Sequence, residues 1–193
     1  MDTQKQLKQA KTLFEQKRYE ECLQALQSLP QEETETQILL ADYHDLFLQY
    51  EPAFRLYTQA AQKGSAYAIY KVAKYIFYQY DGADRDIKKG QKMLLEAAQK
   101  GYLQAMSDLA DYYMRGQYEF PKNEELSVHW LTNAAEQGSA DCMCKLGRRY
   151  AFGQYVEKDF DKALHWLNAA LKAGDAHAKH WIKYVEKQID GKK

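Results

Sequence analysis

The chain has 193 residues, and 27 Lys and Arg balance 27 Asp and Glu to a formal net charge of zero. That length fits one domain or one continuous array, and neutrality argues against bulk electrostatic binding to nucleic acid or anionic membrane, which needs a basic excess. With 10 Gly and 3 Pro the sequence is neither loop-rich nor disordered, and its apolar share leans on Ala and 16 Tyr rather than on Ile and Val. The first residues, Met1 to Gln6, carry no apolar run after a basic start, so no signal peptide is expected. No stretch approaches the length of a spanning helix, so no membrane span is expected. Cys22, Cys142 and Cys144 are odd in number and do not form a disulfide framework, which points to a reduced, cytoplasmic compartment.

In chain order, Lys17 to Leu26 reads as a turn and a helix that Pro30 ends. Leu39, Leu40, Tyr43 and Phe47 give the next helix its apolar face. Gln49 to Tyr57 starts another, with Pro52 suited to a first helical turn. From there a repeat takes over. Ala60-Ala61-Gln62-Lys63-Gly64 returns at Ala97 to Gly101, at Ala134 to Gly138 and at Ala170 to Gly174, with glycine spacings of 37, 37 and 36. Four residues after each glycine stand Ala68, Ala105, Cys142 and Ala178. Eight after stand Val72, Leu109, Leu146 and Ile182. Nine after stand Ala73, Ala110 and Gly147, and twelve after stand Ile76, Tyr113 and Tyr150. These steps describe one helix face, whose small members allow close approach of another helix. A second helix follows in each block, with Asp86, Asn123 and Asp159 or Asp161 as N-caps, and the glycines supply left-handed C-terminal turns. The reading predicts about 11 helices, ending in a polar capping helix over about 175–189 that carries Lys179, Lys183 and Lys187.

Residues 140 to 174, with Leu146-Gly147, Tyr150, Gly153, Val156, Asp159, Lys162-Ala163 and Trp166, resemble a Sel1-like repeat, a relative of the tetratricopeptide repeat. The two preceding blocks resemble it more weakly. One replaces the usual Gly-Val run with Tyr118-Glu119-Phe120-Pro121. The other has Val72-Ala73 and Met93-Leu94 at key positions and a longer connection from Tyr80 to Arg85. The segments before residue 64 resemble tetratricopeptide hairpins. The resemblance implies an all-α, right-handed α-solenoid of stacked antiparallel helix hairpins. Its expected divisions are 1–63 (tetratricopeptide-like hairpins), 64–174 (three repeats, 64–100, 101–137 and 138–174) and 175–193 (capping helix and tail), all in one continuous superhelical domain. It also implies a bacterial source. Disulfide-stapled secreted relatives need paired cysteines in every block. This chain lacks them, so neither their compartment nor their enzyme-like activities carry over.

By that resemblance the first helix of each hairpin lines a concave face, at positions 3, 6, 10 and 14 after each glycine. These are Tyr67, Tyr70, Lys74 and Tyr78; Gln104, Ser107, Asp111 and Arg115; Asp141, Cys144, Arg148 and Phe152; and His177, His180, Tyr184 and Gln188. Tyr and Arg dominate interface hot spots, although a tyrosine can also cover a helix edge with a buried ring and a wet hydroxyl. No phosphate-binding loop, nucleophile elbow or zinc-protease motif is present, and no catalytic residue, cofactor or metal is expected. The expected function is a non-enzymatic adaptor or scaffold that binds a peptide or protein in the groove. One alternative is a small-ligand-binding or hydrolytic enzyme using His177, His180, Asp141 and Cys144. A further one is nucleic-acid or lipid binding through the basic C-terminal end, where residues 145–193 carry 11 Lys and Arg against 6 acids.

Overall fold

The computed structural model describes residues 3–80, 82–83 and 85–191. Asp81 and Asp84 of the long connection, and Lys192 and Lys193 of the basic end, lie outside the described residues. The chain is all-α. It divides into two compact units, Met1–Lys100 and Gly101–Lys193. The first holds α1 (Thr3–Glu15), α2 (Tyr19–Gln27), α3 (Thr34–Leu46), α4 (Tyr50–Gln62), α5 (Ala66–Tyr78) and α6 (Ile87–Gln99). The second holds α7 (Leu103–Arg115), α8 (Glu124–Glu136), α9 (Ala140–Phe152), α10 (Phe160–Lys172) and α11 (Ala178–Asp190). The described residues thus form eleven helices. Within each unit consecutive helices pack as hairpins, α3 on α4, α5 on α6, α7 on α8 and α9 on α10.

The glycine-led turns are built from two overlapping motifs. After α4 the Gly64 N–H donates to the Ala61 carbonyl at 2.8 Å and the Ser65 N–H to the Ala60 carbonyl at 3.3 Å. This pair of bonds satisfies carbonyls that the helix end leaves open, and it needs a left-handed residue, which Gly64 supplies at φ +89°. Ser65 then caps the next helix, its hydroxyl accepting from the Ala68 N–H at 3.3 Å. Gly138 and Ser139 repeat the arrangement between α8 and α9. Inside the hairpins the caps are the expected ones. Asp86, Asn123 and Asp159 accept from Lys89, Leu126 and Lys162 N–H groups at 3.0, 2.9 and 2.9 Å.

The residues four, eight, nine and twelve after each glycine are buried from α5 to α9, with Tyr150 half-buried. Gly147 shows why one of them is small. A Cβ there would sit 2.7 Å from Leu167 Cγ and 3.0 Å from the Ala163 carbonyl oxygen, so α9 rests almost backbone to backbone on α10. Two details differ from the sequence reading. Phe47 is not part of the α3 face; it caps that helix, half exposed, against Tyr19 and Tyr43 at 5.4 and 4.8 Å. The last helix starts at Ala178 rather than near 175, because Asp175 accepts from the His177 N–H and holds a turn there.

Replacing Gly147 by Ala gains up to about 1 kcal/mol of helix propensity but overpacks the α9–α10 contact at about 1–3 kcal/mol. A net loss of about 1 kcal/mol is expected, read as a lower urea midpoint at unchanged slope.

Candidate functional site

In the first unit the glycine-led helix α5 meets α3 and α4 through a polar cluster. Asp42 accepts hydrogen bonds from the Tyr57 and Tyr67 hydroxyls, both at 2.6 Å. Asp45 accepts from the Tyr75 hydroxyl at 2.6 Å and pairs with the Lys71 ammonium at 2.5 Å. Lys71 also lies 5.1 Å from the Tyr57 ring centre. Burial pushes the Asp42 carboxyl above its ordinary pKa, against the two tyrosine bonds and Lys71, which pull it down. Burial and the neighbouring carboxylate likewise raise the Tyr57 and Tyr75 phenols, so both stay protonated as donors. Beside this cluster the Lys74 ammonium sits 5.7 Å from the Tyr70 ring and 4.8 Å from the Tyr78 ring, and Tyr78 is 46% exposed. Of the four candidates on α5, Tyr67 therefore serves the cluster, while Tyr70, Lys74 and Tyr78 form an aromatic and cationic strip.

In the second unit Lys145 ties α9 to α7. Its ammonium lies 2.9 Å from Asp141, 3.3 Å from Asp111 and 3.2 Å from the Ser107 hydroxyl. Burial opposes the lysine charge, but the two carboxylates outweigh it and hold its pKa above the ordinary value. One turn on, the Arg149 side chain is only 7% exposed. Its Nη2 donates to the Ser127 hydroxyl at 3.0 Å, and that hydroxyl donates to the Ala110 carbonyl at 2.6 Å. Its Nη1 is buried with no hydrogen-bond partner. Arg148 lies over the Trp181 ring of α11, 4.3 Å from its centre. Phe152 follows at 5.8 Å from Trp181 and 5.2 Å from Tyr184, and it is 47% exposed. A cleft of about 250 Å³ opens between α7 and α9, lined by Asp111, Met114, Arg115, Lys145, Arg148, Arg149 and Gln154.

Asp111, Arg115 and Arg148 therefore share one cleft, Asp141 joins it through Lys145, and Phe152, Tyr184 and His180 gather around Trp181. Gln104 is apart from these, exposed and bonded to Asp108 along its own helix. His177 precedes α11 as an exposed residue. Position 6 after the glycine turns inward on two helices, with Ser107 4% and Cys144 6% exposed. Lys71, Lys145 and Trp181, absent from the sequence candidates, all stand seven residues after a glycine. That position lies between 3 and 10 in steps of four and three, so the same helical stripe could have found them.

Two of the four groups raised for catalysis are engaged elsewhere. Burial and a bond to Asp175 push the Cys144 thiol up to about 12, which keeps it protonated. Asp141 is paired with Lys145. Among the described residues no three His, Cys, Asp or Glu side chains are placed to hold a metal ion. Lys179, Lys183 and Lys187 are exposed on α11, as a solvated end requires.

Two outcomes follow. Because the Asp42 pKa is raised by folding, its protonated form is favoured in the folded state. This contribution is complete below the unfolded pKa and is lost as pH rises through the folded one. Urea denaturation across pH 4 to 7 is expected to show wild type losing stability relative to Asp42→Asn as pH increases. Cys22, Cys142 and Cys144 are all free and buried, so an aromatic disulfide reagent should label none in the native protein at pH 8 and all three in urea.

The Sel1 repeat family model matches residues 48–65, 66–102, 103–139 and 140–175, the first being a partial copy over α4. No curated protein matches the sequence. Among solved structures, a Sel1 repeat protein from Oxalobacter formigenes is similar at 21% identity over 91% of this chain and 73% of its own, with a TM-score of 0.77. A protective antigen of uropathogenic Escherichia coli with an SLR fold is similar at 26% identity over 97% of this chain and 42% of its own, with a TM-score of 0.76. YrrB, a TPR protein with an unusual peptide-binding site, is similar in fold at 18% identity over 94% and 92%, with a TM-score of 0.50. Four matched segments over most of the described helices place the assignment beyond the fold alone: the chain belongs to the Sel1 repeat family.

Proposed function

We propose that this chain is a non-enzymatic interaction module, an adaptor or scaffold, that holds a peptide or protein partner against its glycine-led helices. Sel1 and TPR repeats generally mediate protein–protein interaction, and a peptide-binding site is named for the TPR protein of similar fold. The observation that carries the reading is the residue fourteen after the glycine. It is Tyr78, Arg115 and Phe152 on α5, α7 and α9, exposed each time at the C-terminal end of the helix. Large apolar and guanidinium groups left in water at one repeat position are what interface hot spots are made of. Lys74 over Tyr78, and Tyr184 against Phe152, restrain two of them before any partner arrives, which lowers the entropy lost on binding. A bacterial, cytoplasmic setting fits the three free thiols and the bacterial sources of the similar structures.

Affinity capture from the native cell should retain a partner on wild type and lose it from a Tyr78→Ala, Arg115→Ala, Phe152→Ala variant. All three side chains are exposed, so circular dichroism should be unchanged. Each single change should weaken the purified complex about tenfold or more, the range of a hot-spot truncation. Turnover of a small substrate, abolished by the same changes, would overturn the proposal.

A further inference from the structure

We infer that the α7–α9 cleft of the second unit recognises an acidic stretch of a peptide partner, pairing several of its Asp and Glu side chains. This rests on the interaction-module reading and names the partner's chemistry. The chain as a whole is neutral, yet this cleft of about 250 Å³ gathers Arg115, Lys145, Arg148 and Arg149 around Asp111, with Asp141 also paired to Lys145 at 2.9 Å. Asp111 is already shared with Lys145 at 3.3 Å. Among the described residues no carboxylate lies within ion-pairing distance of Arg115, Arg148 or Arg149.

The three arginines differ in what they offer. Arg148 spends one face of its guanidinium on the Trp181 ring. Stacking leaves the N–H donors around the edge of the plane open, which is the geometry a carboxylate meets with two parallel bonds. Arg149 is fixed by Ser127, is nine-tenths buried and has an unpartnered nitrogen. A desolvated cation with no carboxylate in direct contact raises the potential of the wall it forms. Arg115 is exposed at the last residue of α7 and lines the cleft from that helix.

A peptide fits this arrangement better than a phosphate chain. Three arginines spread over two helices, none in contact with a carboxylate of the described residues, exceed what one carboxylate can pair, which favours an acidic run over a single C-terminus. Phe152, Trp181 and Tyr184 adjoin Arg148 and offer a neighbouring apolar side chain somewhere to rest.

The test uses the full chain and four fluorescein-labelled probes at low salt. These are an amidated peptide alternating Glu with Phe and Gly, the same peptide with Gln for Glu, the Gln peptide with a free C-terminus, and a single-stranded RNA. The acidic peptide should bind, the amidated Gln peptide should bind at least tenfold more weakly, and the free terminus should restore little. Arg115→Ala and Arg148→Ala should each weaken the acidic peptide about fivefold or more, while Lys179→Ala, an exposed change on α11, should not. Arginine Nε–H resonances of Arg115, Arg148 and Arg149 should shift on titration, and those of Arg18 and Arg55 should not. Equal binding of the Gln peptide, tighter binding of the RNA, or unmoved arginine signals at millimolar peptide would each overturn the inference. If the acidic peptide fails while the chain still captures a partner that the Tyr78→Ala, Arg115→Ala, Phe152→Ala variant loses, only this inference falls.

Discussion

The structure depends on a three-residue turn. In Lys63-Gly64-Ser65 and Gln137-Gly138-Ser139, the glycine adopts a conformation that closes one helix, and the serine begins the next within a single residue. No slack is left between the two helices. Their relative direction is set by backbone hydrogen bonds at fixed offsets rather than by the side chains that later pack around them. Once that direction is set, the residues four, eight and nine after the glycine must be small or neatly shaped. Gly147 against Leu167 is the extreme case.

Much of this was legible in the sequence, because a repeated glycine gives every later position a common origin. Counting from it exposed the buried stripe, the caps at Asp86, Asn123 and Asp159, and the helix pairs. The first three helices have no such anchor, and their sequence says least about how they pack. The apolar pattern puts Phe47 inside a helix that ends one residue earlier, and it passes over Asp42 and Asp45. Nothing local marks those two aspartates. Their role comes from Tyr57 of α4 and from Tyr67, Lys71 and Tyr75 of α5, which reach them only after the hairpins stack. The same limit applied to Arg149, whose importance lies in a burial that no count of basic residues reveals.

Tyrosine does two kinds of work in this chain. Tyr57 and Tyr75 are core residues that keep a hydroxyl for a carboxylate, so the first unit's interior holds aromatic bulk and fixed polar bonds together. Removing either ring would leave both a cavity and an aspartate short of a donor. Tyr78 uses the same chemistry outwards, with its ring in solvent and a lysine over it. The high tyrosine content thus reflects an interior that needs amphipathic fillers as well as a surface suited to contact.

The fixed turn also decides where the repeat can change length. The last repeat is one residue shorter than the others, and the missing residue falls between α9 and α10, where seven residues stand in place of the eight between α5 and α6 or between α7 and α8. The Gly64 and Gly138 turns each keep three residues. Evolution and protein engineers therefore share one permissive site per repeat. A segment grafted inside a hairpin, after Gly116 or Gly153, enters a loop that already varies, whereas even one residue added at Gly64 or Gly138 would uncouple two helices that share a single hinge.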